Sequence, residues 1–265
     1  MKQYSIFKQS LIGYFQIRFP LMISVILIVF SMLFQCFFNP ETSDLSILDL
    51  ISNLNGKTGT ANMSMLVFTL IPLFAFVILS LIDNEEIAIK ILKRKSRAEI
   101  WNKHVVSILY LSLFLTIIII FLGYIFSGLT LGRFENDWTS TQGIFYKSLE
   151  DKNNFHMYVN NLSTIKVLSI VFITKFIGLF VIGLMISTFK AIFNKNSIVF
   201  IVITMFGYLD GFYFENSMLL RKIALNIENW KSLNSVIANQ FYLLTLIMVF
   251  YFLGRELYNR KDFYN

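Results

Sequence analysis

The chain has 265 residues and a mass of 30.9 kDa; 56% of its residues are hydrophobic, 15% are charged, and the mean hydropathy is +0.65. Soluble domains carry about 25% charged residues, so this composition excludes a chain covered by a water-facing surface. The single cysteine, Cys36, excludes a disulfide framework, and two histidines are too few for a Cys/His zinc site. The net charge of +7 is spread between apolar runs, which favours anionic lipid headgroups over nucleic acid as the counter-charge. We therefore predict an all-α integral membrane protein.

Residues 1–18 alternate between apolar and polar side chains with helical spacing. The apolar face consists of Tyr4, Phe7, Leu11, Tyr14 and Phe15, with Lys2, Ser5, Gln9 and Gln16 opposite. This pattern predicts an amphipathic helix that lies in the membrane interface. A plain membrane anchor and a lipid-sensing element both fit it.

Six stretches are long and apolar enough to cross a hydrocarbon core of about 30 Å, which takes about 20 residues. They cover 19–38, 63–82, 105–126, 167–189, 198–214 and 236–253. We do not expect the first stretch to be a cleaved signal peptide, because eighteen polar-containing residues precede it and no small-residue cleavage site follows. The sequence thus predicts a six-span transmembrane domain over 19–253 and a tail over 254–265.

The distribution of lysine and arginine predicts the orientation. The termini and the second and fourth connections together carry fourteen basic residues against six acidic ones. The other connections carry eight basic residues against nine acidic ones. We therefore expect both termini in the cytoplasm, which an even number of spans requires.

Residues 83–103, between the second and third spans, run from an acidic block through an apolar block to a basic block. Ser96 and Glu99 have the spacing of a capping box, so one helix should end just before Ser96 and the next should begin there. A short helix held at the membrane surface between two rigid spans is suited to receive a push from a soluble partner. An ordinary positive-inside loop explains the same residues equally well.

This connection resembles the coupling-helix region of ABC-2 type exporter permeases. The matching residues, in order, are Glu86, Ile91-Leu92, Ser96-Arg97, Ile100 and Lys103. Ala88-Ile89 stands where the family has Gly-Thr, and Lys95 stands where the family has Pro. Small peptide-exporting and self-immunity permeases of the bacteriocin and lantibiotic type in Gram-positive bacteria also vary at these positions. The interfacial helix, six spans and long fifth connection are similar to the layout of the same family.

The resemblance implies that the chain is the membrane subunit of an ABC exporter with the ABC-2 fold. It would dimerise with a second copy or a sister permease and bind a separate cytoplasmic ATPase, which uses ATP and Mg²⁺. The implied ATPase-coupling residues are Glu85, Glu86, Ile91, Leu92, Lys93, Arg94, Lys95, Ser96, Arg97 and Lys103. The implied cargo is an amphipathic or antimicrobial peptide, for export or self-immunity; lipids or cell-wall precursors are the alternative.

Residues 215–240, the connection between the fifth and sixth spans, alternate apolar residues with Arg221 and Lys222. In the resembled family this segment dips into the outer leaflet, whereas an amphipathic surface helix is the alternative. Two charges fall inside spans: Lys175 about 12 Å and Asp210 about 6 Å below the outer ends of their helices. The depths allow an intramembrane pair, although a snorkelling lysine and a turn at Asp210 explain the residues separately.

Enzyme motifs have little support in the sequence. Gly56-Lys57-Thr58 resembles the end of a phosphate-binding loop, but Ile51 stands where that motif needs glycine. Glu85-Glu86 with Lys90 resembles the motif of an intramembrane glutamate protease, but its partner His156 falls on the opposite side of the membrane. We expect no catalytic, cofactor or metal site; an ATP-independent scaffold or immunity protein is the remaining alternative.

Overall fold

The computed structural model describes residues 2–37, 45–87, 96–214 and 217–261. Over these ranges the chain forms helices, short turns and no strands. Six helices are long and apolar enough to span a membrane, as predicted: α1 (Arg18–Phe37 of Lys2–Phe37), α3 (Met63–Glu85), α4 (Arg97–Leu131), α7 (Thr164–Ile192), α8 (Asn196–Tyr213) and α11 (Leu233–Arg260). The five short helices are α2 (Ile47–Ile51), α5 (Ile144–Lys147), α6 (Phe155–Val159), α9 (Leu220–Ile223) and α10 (Ile227–Lys231).

Helix α7 is the centre of the bundle. It packs against α3, α4, α8 and α11, and every residue from 177 to 188 is buried. This stretch is apolar around its whole circumference, which is the pattern of a helix surrounded by other helices. Helix α11 is the least buried span, and large apolar side chains on α1, α4 and α11 face outwards.

Several helix ends differ from the sequence prediction. Helix α1 is continuous from Lys2 through Pro20 to Phe37, so residues 2–18 belong to the same helix as the first span. That these residues lie in the membrane interface stays a prediction. Helix α4 is 35 residues long, which at 1.5 Å per residue is about 52 Å and exceeds the hydrocarbon core. Helix α11 continues to Arg260, so most of the predicted tail is helical.

The ends of the helices define two faces of the bundle. We call the face with the end of α3, the start of α4 and the end of α11 the basic end, because the basic connections lie there. At the opposite face, segments 45–62, 132–163 and 217–232 fold into a cap. From the sequence these segments are only connections between spans.

The cap is built around two tryptophans from distant segments. The ring centroids of Trp138 and Trp230 lie 5.6 Å apart, edge to face, and both side chains are fully buried with Phe145 and Phe155 nearby. The Nε1–H of Trp138 donates to Asp49 Oδ1 over 2.8 Å. Burial raises the pKa of the Asp49 carboxyl above its ordinary value, although its hydrogen bonds act in the opposite direction.

Candidate functional site

The predicted coupling segment is described only at its two flanks. Residues 88–95, which include Ile91, Leu92, Lys93, Arg94 and Lys95, lie outside the described residues. Before them, α3 ends at Glu85; after them, Ser96 precedes α4 and its hydroxyl oxygen accepts the Glu99 amide over 3.2 Å. The predicted start of a new helix at Ser96 is therefore confirmed.

The two flanks are joined directly by an ion pair between Glu85 and Lys103. The side chain of Glu85 is 14% exposed and that of Lys103 is 37% exposed. Because Lys103 lies in the second turn of α4, this pair fixes the end of α3 beside the start of α4. Both residues belong to the sequence-predicted set, and the structure brings them together.

Glu86 joins the same flank to the last span. Its carboxylate accepts Lys261 Nζ over 2.7 Å at both oxygens and the Tyr258 hydroxyl over 2.9 Å. The side chains of Lys261 and Glu86 are only 9% and 14% exposed, so water screens this pair little. A charge pair removed from water in this way holds its partners at one distance, because separating them leaves buried charges uncompensated.

The contact between α4 and α11 continues inwards from this pair. His104 Nδ1 lies 3.1 Å from the Tyr258 hydroxyl, and both side chains are fully buried. The Trp101 ring occupies the space left by the absence of a side chain at Gly254. A Cβ atom at position 254 would lie only 2.1 Å from Trp101 Cη2. Arg97 Nη1 donates to the Asn259 carbonyl over 3.0 Å. These three contacts connect the first two turns of α4 to the last two turns of α11.

A second ionic contact connects α3 to the centre of the bundle. Lys190 Nζ, near the end of α7, lies 3.1 Å from Asp83 Oδ1 and donates to the Asn194 carbonyl over 3.0 Å. The side chain of Asn196, the first residue of α8, hydrogen-bonds to both Asp83 and Lys190. The end of α3 is thus tied to α7 and α8 as well.

We call these contacts together the basic-end cluster. It consists of Asp83, Glu85, Glu86, Arg97, Lys103, His104, Lys190, Asn196, Tyr258 and Lys261. It joins α3, α4, α7, α8 and α11 around the two flanks of segment 88–95. Among the described residues no group of three His, Cys, Asp or Glu side chains is arranged to hold a metal ion. The arrangement is suited to transmit displacement between helices.

Sequence reasoning missed the part of the cluster that comes from α7, α8 and α11. From the sequence, Lys190 and Lys261 are only two of the fourteen basic residues that predict the orientation. Tyr258 and Lys261 are more than 170 residues from Glu86 along the chain, so no local spacing pattern joins them. The only available signal was that all of them lie at helix ends predicted to face the same side.

The intramembrane charges Lys175 and Asp210 are both buried, and each of them binds groups other than its possible partner. Among the described residues, the ion pairs include none between these two side chains. Lys175 Nζ donates instead to the Ile223 carbonyl over 2.8 Å, at the end of α9. A Cβ at Gly178, one turn further along α7, would lie 2.6 Å from the Ile223 side chain, so a glycine here permits the close approach.

Asp210 binds the other end of the same segment. Its carboxylate accepts the Ser217 hydroxyl over 2.8 Å and the backbone amides of Met218, Leu219 and Leu220 over 2.6, 3.0 and 2.7 Å. A carboxylate at the start of a helix and an ammonium at its end both complement the helix dipole. The two buried charges therefore hold segment 217–223 against α7 and α8 and do not neutralise each other directly.

Residues 217–232 form the short helices α9 and α10, and residues 233–240 belong to α11. The described part of the predicted segment 215–240, residues 217–240, is thus two short helices and the start of the last span. That it enters the outer leaflet stays a prediction, as does the side of the membrane that the cap faces.

No family model matches the chain, and no curated protein and no solved structure matches it either. The fold defines the chain as an all-helical protein with six helices long and apolar enough to span a membrane, which is the character of a multi-pass membrane protein.

Proposed function

We propose that the chain is the membrane subunit of an ATP-driven exporter of the ABC-2 type, activated through residues 83–103 by a separate ATPase in the cytoplasm. The observation that carries this proposal is the basic-end cluster. A connection that served only to join two spans would not need its flanks tied to three further helices. Here the largely buried Glu86–Lys261 pair reaches α11, and the Asp83–Lys190 pair with the Asn196 side chain reaches α7 and α8.

The cluster supports a mechanical mechanism. A partner that displaces segment 88–95 moves the ends of α3 and α4 together, because Glu85 and Lys103 join them. Glu86 passes the displacement to α11 through Lys261, and Asp83 passes it to α7 through Lys190. Since α7 contacts most other spans, tilting its end changes the packing of the whole bundle. ATP binding and hydrolysis in the partner would supply the force.

The proposal also covers the assembly and the cargo. One six-span chain is half of a translocation path in the resembled family, so we propose a dimer with a second copy or a sister permease. Large apolar side chains are exposed on α1, α4 and α11, and these surfaces can contact lipid or a second permease subunit. The proposed cargo, an amphipathic peptide exported or expelled in self-immunity, rests on the resemblance alone, with lipids or cell-wall precursors as the alternative.

A pull-down tests the coupling. The chain is purified from its native membrane in mild detergent, and the ATPase recovered with it is quantified. Reversing three charges, in Lys93→Glu, Arg94→Glu and Lys95→Glu together, should abolish that recovery. The matched control reverses three charges at the opposite face, in Lys57→Glu, Lys147→Glu and Lys152→Glu, and should leave it unchanged. Equal recovery with both variants contradicts the coupling role; if the unaltered chain recovers no ATPase, an ATP-independent scaffold or immunity protein is favoured.

A further inference from the structure

A groove runs between α3 and α8 on the outer surface of the bundle, starting at the basic end. Its volume is about 420 Å³, and its lining consists of Phe76, Leu79, Ser80, Asn196, Ser197, Phe200 and Ile201. Phe76 and Ile201 are 43% and 54% exposed, so the groove is open along its side. Both helices are candidate spans, and this opening therefore faces the hydrocarbon layer of a membrane.

The lining changes from polar to apolar with depth. Ser197 is the second residue of α8, and Ile201 lies four residues, about 6 Å, further from the basic end. On the opposite wall Phe76 lies nine residues, about 13 Å, from the end of α3 at Glu85. The mouth at the basic end thus has polar groups, and the interior has aromatic and aliphatic side chains.

The mouth is suited to an anion. The regular α-helical part of α8, Asn196–Tyr208, has 13 residues, and the side chain of Lys195 before it makes no capping hydrogen bond to its first amides. Lys195 is exposed, immediately precedes this helix and has no ion-pair partner among the described residues. Asp83, which bonds to the Asn196 side chain beside this position, is already paired with Lys190 and therefore does not neutralise Lys195. The Ser80 hydroxyl donates to the Phe76 carbonyl over 2.9 Å, which leaves the Ser197 hydroxyl as the donor at the mouth.

The size and lining favour a lipid chain over a protein helix. A cavity of about 150 Å³ accommodates one benzene ring, so 420 Å³ holds roughly three times as many carbons, on the order of one long acyl chain. A helix with its side chains is about 10 Å across and would lie over this groove without filling it. Helix contacts in membranes also favour small residues, whereas four of the seven lining residues are Phe, Leu or Ile.

We infer that this groove binds an anionic phospholipid, with one acyl chain between α3 and α8 and the phosphate at the start of α8. The acyl chain of the lipid contacts Phe76, Phe200 and Ile201. The phosphate interacts with Lys195, the Ser197 hydroxyl and the first amides of α8. Because Asn196 also bonds to Asp83 and Lys190, the lipid headgroup lies beside the basic-end cluster. The inference does not depend on a partner ATPase.

Native mass spectrometry of the full chain, released from nanodiscs with equal amounts of phosphatidylglycerol and phosphatidylcholine, tests the site. The unaltered chain should retain phosphatidylglycerol in preference. Lys195→Gln should lower this retention about five-fold, since one lysine near an anionic surface contributes roughly that factor. The matched control Lys57→Gln removes a lysine from the opposite face and should change nothing. Ile201→Trp, which fills the groove, should remove the retained lipid, whereas Ile237→Trp on the exposed surface of α11 should not.

Equal retention in Lys195→Gln and Lys57→Gln would overturn the inference, because the lipid would then be unspecific annular lipid. A photoreactive amino acid at position 201 gives a readout that does not require lipid to survive purification. In nanodiscs it should crosslink to phosphatidylglycerol. A crosslink to a second copy of the chain would overturn the inference and identify this face as a protein interface.

Discussion

Replacing Asp210 with asparagine tests whether a buried carboxylate holds segment 217–223 in place. Asp210 is fully buried and accepts four hydrogen bonds, three of them from consecutive backbone amides. Asparagine has the same shape but only one oxygen, and its NH₂ group is itself a donor. If that oxygen takes the place of Oδ2, the bond to Met218 is lost, and the NH₂ group then faces the Met218 amide.

The magnitude follows from this bond count. Losing one bond to a charged group costs about 1.5–3 kcal/mol, and the three remaining bonds weaken by roughly half when the charge is removed. The neutral amide is cheaper to bury than a carboxylate, which offsets part of the loss. We therefore expect Asp210→Asn to destabilise the segment by about 2–4 kcal/mol. At a factor of ten for every 1.4 kcal/mol, local opening becomes about 30 to 700 times more frequent.

Hydrogen–deuterium exchange of the detergent-purified protein measures this opening. In Asp210→Asn the amides of residues 218–220 should exchange faster by that factor, while amides in the middle of α7 keep their protection. The matched control is Asp151→Asn, because Asp151 accepts the Asn153 amide over 3.0 Å in an exposed turn where water replaces a lost bond. Unchanged exchange at 218–220 in Asp210→Asn would refute the claim that the Asp210 carboxylate holds this segment. Equal acceleration in both variants would refute the claim that burial makes its hydrogen bonds important.

Three further predictions concern other contacts. Gly254→Val places atoms where Trp101 packs and should lower the thermal unfolding temperature, by a destabilisation of about 1–3 kcal/mol, with Ala in place of Val giving a smaller shift. The pKa of the Asp49 carboxyl is higher in the folded protein than the ordinary 3.8, so as pH rises this carboxyl ionises first in the unfolded chain. It therefore lowers the free energy of unfolding progressively until it is ionised in the folded state as well. Thermal unfolding of Asp49→Asn across that pH range should lack this decline. Glu86→Gln removes the charged partner of Lys261 and should accelerate amide exchange in the last turn of α11 while leaving its first turn unchanged.

The spans were predictable because a helix that crosses a membrane must be long and apolar, and both properties can be read from one continuous segment of sequence. The start of α4 was predictable for a similar reason: Ser96 and Glu99 are three residues apart and their contact is local. The cap was not predictable, since its core joins Trp138 to Trp230 and to Asp49. None of these side chains has a periodic pattern around it that distinguishes a packed core from an exposed loop.

The intramembrane charges show a different limit of sequence reasoning. Depth along each helix correctly placed Lys175 and Asp210 in the half of the bundle near the cap. Depth left open whether the two residues pair, and the groups that satisfy them are a backbone carbonyl for Lys175 and three backbone amides and the Ser217 hydroxyl for Asp210. Every residue supplies such backbone groups, so the sequence carries no mark of which ones a buried charge will bind.

Reconstitution tests the proposed function most directly. Inside-out vesicles are prepared with the chain alone and with the chain plus the ATPase that co-purifies with it, and uptake of a fluorescent amphipathic peptide is followed with and without ATP. The account predicts uptake only when chain, ATPase and ATP are all present. It also predicts that Glu85→Lys combined with Glu86→Lys abolishes uptake while ATP hydrolysis by the free ATPase continues. Full transport by the chain alone, without a second protein or ATP, would contradict it.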